Sequence, residues 1–552
     1  MPRTGVFLSA AALAAGLATL GGRAQTQGPA SLLIRENLGL PAIDLGVAID
    51  FTHTPATFEA RRRAAVHAVL HSDGAGSSGV PYARGRVIVK FRDAASAADR
   101  LNAVSSASGT GSMAARPTYA NFDILSIDEN EDAEATANRL SQRPEVEYAQ
   151  PAYRVHTMFV PNDPLYKSSA TFSPGQWNLP LIGLEQAWDI QPQAGSSITV
   201  AVLDTGLAYM KSTINANIPS FVDDQGVTYP PLGPVTLPYS PAFQIVSDST
   251  AGRIVAPYDF IWNGTQPPLD FDGHGTHVAG TIGQLTNDGI GTAGVAFNVK
   301  LMPVKVIGGV WDDIFGAPNA GTDDTVARGI RYAADNGANV INMSLGRSGP
   351  PDTAPAVEDA IKYAVGKGVF ISISAGNDFE NGNPKEVIAE IASRVQGAVS
   401  VAAVDRNATV GDRKCTGTSA SPSCHAYYSS SGTWVELAAP GGSERGYDRD
   451  GFVWQQTFDY TKVETYLLPV SQYTAPRFDV LAYVGYIGTS MAAPHVSGVA
   501  AMLMQQGIKS PAAIEAALER FAVDLGVPGR DDLYGYGLID ARGALRGLGI
   551  AR

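Results

Sequence analysis

The chain has 552 residues, of which 45% are hydrophobic and 17% charged, and it carries a formal charge of −13. That length exceeds one small core, so a large domain with additional segments is expected. The acidic balance excludes nucleic acid and anionic membrane as partners, because both need a basic face.

In chain order, Met1-Pro2-Arg3 supplies a short basic start, Val6 to Leu20 runs apolar without a charge, and Gly22-Arg23-Ala24 precedes Gln25. This pattern predicts a signal peptide over residues 1–24 and a secreted product, extracellular or periplasmic. No later stretch is long and apolar enough for a membrane span, so none is expected once the signal is removed. Residues 25–83 hold an arginine run at 61–63 and a Ser/Gly-rich stretch at 74–79, and read as a linker of no assigned role.

Residues 84–156 form a predicted small unit. Arg86 to Phe91 alternates like a strand, Ala94 to Ser105 is helical, and Phe122 to Ile127 is a second strand. A helix over Ala133 to Ser141 and an extended segment over Val146 to Val155 complete an α+β open sandwich. From 157 to 552 the rhythm is longer. Apolar runs at Ile198–Leu203, Leu301–Ile307, Val340–Leu345, Val369–Ser374 and Ala398–Val404 alternate with helical segments such as Asp323–Asn336 and Ala356–Gly366. Near-continuous apolar strands separated by helices predict a doubly wound α/β domain, its mostly parallel sheet covered on both faces. Residues 208–257 and 442–480, rich in Pro, Gly, Tyr and Ser, break the rhythm and read as inserted loops.

Three motifs carry the chemistry. Val200 to Leu203 ends in Asp204-Thr205-Gly206, a buried strand closed by a carboxylate. Asp272-Gly273-His274-Gly275-Thr276-His277 opens an apolar helix with a histidine at its mouth. Gly488-Thr489-Ser490-Met491-Ala492-Ala493-Pro494-His495 starts another helix with a serine, with Pro494 expected in its first turn. A serine hydroxyl is a weak nucleophile until a neutral imidazole takes its proton, and a carboxylate must fix that imidazole's tautomer and stabilise its cation. Ser374-Ala375-Gly376-Asn377 follows another apolar strand. The Asn377 amide beside the Ser490 backbone N–H would make an oxyanion hole. His277 and His495, one turn inside their helices, read as packing or supporting residues.

Read together, the order Asp, His, Asn, Ser and the residues around each resemble the subtilase family of serine proteases over about 157–545, and 84–155 resembles its propeptide. The resemblance implies a serine endopeptidase made as a zymogen. Asp204, His274 and Ser490 would be catalytic, with Asn377 in the oxyanion hole. It also implies that Ser344-Leu345-Gly346 and Ser374-Ala375-Gly376 bind substrate, with the peptide pairing along the former as an added strand. The family's Tyr-Pro-Ala-like segment, which helps form the pocket for the residue before the scissile bond, is replaced here by Pro384-Lys385-Glu386-Val387. Partners are expected to be protein or peptide substrates and the chain's own propeptide as intramolecular inhibitor, cut off between Tyr153 and Asp163. The mature form is expected to be a monomer.

No cofactor is required for this chemistry. Structural calcium is the one ion the resemblance suggests, at Asp163, Asp288 and Ile290, although the family's aspartate soon after the catalytic one is missing. Asp259, Asp270 and Asp272 are a second candidate cluster. Cys415 and Cys424, the only cysteines, read in an exported protein as a disulfide closing a small loop. Two rivals are disfavoured. A silent binding protein would be expected to have lost a triad residue, and a lipase would place its serine in Gly-x-Ser-x-Gly before the acid and histidine. Sedolisin relatives carry a glutamate where His274 stands.

Overall fold

The structure, a computed structural model, describes residues 82–113, 116–117, 119–153, 159–168, 175–223, 226–242, 252–406, 424–445 and 448–547. The signal peptide, nearly all of the linker, and Cys415 lie outside the described residues. The chain divides into two compact units, one of them formed mainly by residues 70–158.

In the small unit the elements run β1 (Tyr82–Phe91), α1 (Ala97–Ala107), β2 (Ser112–Met113), β3 (Asp123–Ser126), α2 (Ala133–Ser141) and β4 (Val146–Tyr153). The strands make an antiparallel sheet in the order β2-β3-β1-β4. Alternation in β1 sends Val87, Val89 and Phe91 to one face, where they meet Val104 of α1, Leu125 of β3 and Leu140 of α2 in a shared core. Each helix has a specified start. Ser96 Oγ accepts from Asp99 N while the Asp99 carboxylate accepts from Ser96 N, and Asp132 accepts from the backbone of Glu134 and Ala135.

The large unit is built on β5 (Thr199–Asp204). Then come β6 (Ser212–Ile218), β7 (Phe221–Val222), β8 (Thr228–Tyr229), β9 (Leu232–Tyr239) and β10 (Tyr258–Asp259). Next are α3 (His274–Gly283), β11 (Lys300–Lys305), α4 (Asp323–Asp335), β12 (Val340–Met343), α5 (Pro355–Gly366), β13 (Phe370–Ser374) and β14 (Ala398–Val404). β15 (Leu437–Pro440), β16 (Val453–Phe458), β17 (Leu481–Tyr486) and α6 (Thr489–Gln505) complete the frame.

Seven strands form one sheet in the order β10-β11-β5-β12-β13-β14-β15, with every neighbouring pair parallel. Helices cover both faces, so the fold is the expected doubly wound α/β class. Inner strands such as β5 and β14 are buried at every residue, which is why they read as unbroken apolar runs. β10 and β15, with two and four residues, were too short to show in the sequence pattern.

Of the two segments read as inserted loops, the first contains two strand pairs and the second contributes one strand of a third. β6 pairs with β9 and β7 with β8, and β16 lies in the second segment and pairs along its whole length with β17. Among the described residues no helix is long and apolar enough to cross a membrane.

Candidate active site

Neighbouring strands lie about 4.8 Å apart, and the carboxyl ends of β5, β12 and β13 are adjacent in the sheet. Asp204 is therefore the last residue of one strand, Ser344 follows the next, and Ser374 to Asn377 follow the third. In such a sheet, sites gather at these ends.

The first pair assembles through two glycines. A side chain on Gly275 would stand 2.3 Å from the Gly206 carbonyl oxygen, and one on Gly206, at φ 118°, would stand 2.7 Å from that of Leu269. Only with both absent does the mouth of α3 come down onto the end of β5. There His274 Nδ1 donates to Asp204 Oδ1 at 2.7 Å. Asp204 is fully buried and His274 is 19% exposed. Asp204 Oδ1 also accepts from Thr205 N at 2.8 Å.

Asp270 shapes the turn before His274. Its carboxylate accepts from Gly273 N, Asp272 N, Thr276 N and both the Thr205 and Thr276 hydroxyls. With its oxygens so occupied it is a loop organiser, and the suggested cation cluster of Asp259, Asp270 and Asp272 does not form. Asp259 instead accepts from Ile261 N and Trp262 N.

Ser490 is the second residue of α6, half-buried, and its hydroxyl donates to Ser344 O at 3.3 Å. It therefore makes no hydrogen bond to His274 here, and catalytic contacts of this kind often tighten only with substrate bound. Pro494 lies in the second turn of α6 rather than the expected first. A proline there deprives the carbonyl four residues earlier of its N–H partner. That carbonyl belongs to Ser490, and Ser344 Oγ donates to it instead at 2.7 Å. Ser344 Oγ in turn accepts from Asn342 Nδ2 at 2.9 Å. The sequence marked Ser344 as a cleft residue, but its tie to the serine helix was not visible there.

Asn377 is positioned by Thr489. Its Oδ1 accepts from both Thr489 N and Thr489 Oγ1 at 2.9 Å, so the amide's other end, Nδ2, is the one left to donate outward. A methyl on Gly488 would lie 3.6 Å from both Asn377 Nδ2 and the Ser490 amide nitrogen. The two donors therefore border the same small space. Thr489 is a site residue that sequence reasoning missed, although it stands directly before the serine.

The model of the subtilase family matches residues 195–537. The chain belongs to the subtilase family. It is a serine peptidase with a prodomain, because a second model, the fervidolysin N-terminal prodomain, matches residues 72–152. The chain is 29% identical to a thermophilic serine proteinase of Bacillus sp. (strain AK1), over 91% of this chain and 98% of that one. With thermitase of Thermoactinomyces vulgaris it shares 30% identity over 66% of this chain and 92% of that one. The crystal structure of fervidolysin from Fervidobacterium pennivorans aligns at a TM-score of 0.46 with 25% identity, covering 84% of this chain and 61% of that one.

In this subtilase, burial alone pushes the His274 imidazole down. The charge and hydrogen bond of Asp204, with Asp272 and Asp270 behind it, outweigh burial and hold it at about 9. His277 and His495 behave differently. His277 Nε2 donates to Val453 O and Val484 O, both at 3.1 Å, and burial pushes its ring down to about 3. His495 Nδ1 donates to Met491 O at 2.7 Å while its Nε2 accepts from Asn178 Nδ2 at 2.8 Å. Burial likewise lowers it to about 4. Both are neutral supports buried in the frame.

The two segments outside the α/β rhythm hold the histidine loop of this subtilase. Thr457 Oγ1 on β16 donates to Gly273 O at 2.6 Å. Tyr486 on β17 stacks on His277 at 4.3 Å and lies parallel to His274 at 6.5 Å. From β9, Tyr239 OH donates to Asp270 O at 2.8 Å. Composition showed only that these stretches differed from the rest.

Asp163 and Asp288 meet as the sequence suggested. Asp163 accepts from Asn287 N at 2.7 Å and Asp288 N at 3.2 Å, and Asp288 Oδ1 accepts from Ile290 N at 2.9 Å. Burial raises both carboxyl pKa values, and for Asp288 the neighbouring Asp163 charge adds to it. The two carboxyls face each other closely enough to share a hydrogen bond when Asp288 is protonated. Once both are ionised, two facing carboxylates fit a hard cation. Among the described residues, no group of three His, Cys, Asp or Glu side chains converges as a metal site.

Proposed function

We propose that this subtilase is a secreted serine endopeptidase made as a zymogen, with Asp204, His274 and Ser490 as its triad. The observation that carries the reading is the 2.7 Å bond from His274 Nδ1 to Asp204. It leaves Nε2 as the base that faces the serine in this reading. Rotation of the hydroxyl away from Ser344 O lets Ser490 Oγ attack the peptide carbonyl carbon while Nε2 takes its proton. Asp204 stabilises the resulting imidazolium. The oxyanion is held by Asn377 Nδ2 and the Ser490 N–H. His274 then returns the proton to the leaving amine, and water repeats the sequence on the acyl-enzyme to release the acid.

Substrate lies against Ser344-Leu345-Gly346 and Ser374-Ala375-Gly376. Residues 1–24 direct export, 25–83 link, and 84–156 act as the intramolecular inhibitor and folding template before removal between Tyr153 and Asp163. The mature unit from 157 onward works as a monomer. Cys415 and Cys424 form a disulfide, for which their close spacing in an exported chain is the support. Asp163, Asp288 and the Ile290 main chain hold a calcium ion that stabilises the fold and takes no part in the chemistry.

The test compares wild type with Ser490→Ala in a host lacking other proteases. Wild type should yield a mature N-terminus between 153 and 163 and take up a phosphonylating reagent on Ser490. The variant should persist as one chain that keeps residues 84–156. Full processing of the variant sinks self-cleavage, and peptidase activity in the variant sinks the mechanism.

A further inference from the structure

We propose that Glu386 forms the floor of the pocket for the residue before the scissile bond and selects a lysine or arginine side chain there. This rests on the serine-peptidase reading of the same site.

The segment carrying Glu386 is where the sequence departs from the family's Tyr-Pro-Ala pattern. It lies against the continuation of β12: Glu386 bridges Ser348, and Val387 N donates to Arg347 O at 2.9 Å. That placement sends the Glu386 side chain between the two substrate segments. A methyl on Gly346 would lie 2.3 Å from Glu386 Oε1 and 2.7 Å from its carboxyl carbon, and one on Gly376 would lie 3.4 Å from Glu386 Cβ. Gly346 leaves the carboxylate bare on its side, whereas a methyl on Gly376 would meet the Ser430 hydroxyl first, at 2.8 Å, and then the Glu386 stem. Glu386 is only 5% exposed.

Its charge lacks a matching cation. The Arg347 backbone N–H donates to Oε1, which steadies the carboxylate but supplies no full charge. The Arg347 guanidinium is turned elsewhere, held by both Asp323 oxygens at 3.0 Å and by the carbonyls of Pro351 and Thr353 at 2.8 Å. Among the described residues no Lys, Arg or His side chain makes an ion pair with Glu386. Burial pushes its carboxyl up to about 7. The backbone N–H groups of Arg347 and Ile388 pull it down, Asp378 adds a second negative charge, and the Arg347 cation only partly offsets it.

The cost of stripping water from this carboxylate is met on folding. A substrate ammonium or guanidinium entering the slot therefore gains a charge-assisted bond to a group already in place. Above about pH 7, where the carboxyl is ionised, a neutral side chain leaves that charge buried and unpaired and is disfavoured. Hydrogen bonds to charged groups correspond to roughly 10- to 100-fold in discrimination.

The experiment uses processed enzyme and a set of peptide anilides identical except for Lys, Arg, Met, Phe, Ala or Glu before the scissile bond. Lys or Arg should exceed Met in kcat/KM by roughly 10- to 100-fold. Glu386→Gln keeps an acceptor for Arg347 N, so it should retain phosphonate labelling of Ser490 while losing most of that preference. A wild type that prefers Met, Phe or Ala overturns the proposal, as does a labelled Gln variant that still prefers Lys. The wild-type profile decides the matter should the variant fail to fold. Wild type that neither takes the label nor cuts any substrate refutes the serine-peptidase reading itself, whereas labelling without basic preference refutes Glu386 alone.

Discussion

Replacing Asp272 by Asn should move the acid limb of activity to lower pH. The base must be neutral to act, and the free enzyme's kcat/KM reports its titration. With His274 held at about 9, only about one molecule in a hundred carries a neutral imidazole at pH 7, so activity there should be about a hundredth of its alkaline plateau. Asp272 is among the charges that raise it. The Asp272 carboxylate also accepts from His274 N at 3.1 Å, and Asn can keep that bond through its own oxygen. Removing the charge should therefore lower the limb by about one pH unit or more, raising activity at pH 7 about tenfold with the plateau unchanged. The assay is kcat/KM for one peptide from pH 5 to 10.5. A limb that stays put or moves upward would refute the electrostatic account. The sign for stability follows from the same shift. A histidine raised above its unfolded value of about 6.5 stabilises the fold fully below that pH, and the contribution is lost as pH climbs through 9.

Asn377→Ala should lower kcat by about 10²–10³ with KM nearly unchanged, read by steady-state kinetics, because the donor acts as charge develops. Ser344→Ala should destabilise the inhibitor-blocked enzyme by about 1–3 kcal/mol in urea unfolding, since it leaves the Ser490 carbonyl without the donor that stands in for Pro494; Ser344→Thr, which keeps a hydroxyl, should recover part of it. Mass mapping without reduction should find Cys415 and Cys424 in one linked peptide pair, and two free thiols would dismiss the bridge.

The residues proposed to carry the chemistry stand at strand and helix ends that local sequence specifies. β5 is a run of buried apolar residues closed by Asp204, and the start of α3 is a glycine turn closed by His274. What was not legible depends on partners far along the chain. The bond from Ser344 to the Ser490 carbonyl joins residues 146 positions apart, and no pattern around either predicts it. Pro494 was the available hint, since a proline in a helix implies an orphaned carbonyl one turn earlier. The second segment read as a loop shows the same limit. Val453 to Phe458 does not announce that the Val453 carbonyl holds His277 or that Thr457 clamps the turn before His274. Its irregular composition reflects a strand pair fitted to a loop rather than to the main sheet.

The two perturbed groups at the cleft titrate in different windows, which separates recognition from turnover. Glu386 loses its proton around pH 7, whereas His274 does so near 9. Between those values the pocket is charged but the base is mostly protonated. Lysine-bearing substrate should then bind without being cut quickly. The groups facing Glu386 are Arg347, already engaged by Asp323, and Asp378, so the slot stays net negative across this interval. Selectivity for Lys over Met should therefore rise from pH 6 to 8 and level off, while kcat for both continues to climb toward pH 10. Competitive inhibition by an uncleavable lysine-bearing peptide, followed over the same range, measures the first process alone. Inhibition that strengthens only above pH 8, in step with kcat, would mean that one group controls both and that Glu386 is not the charge the substrate meets.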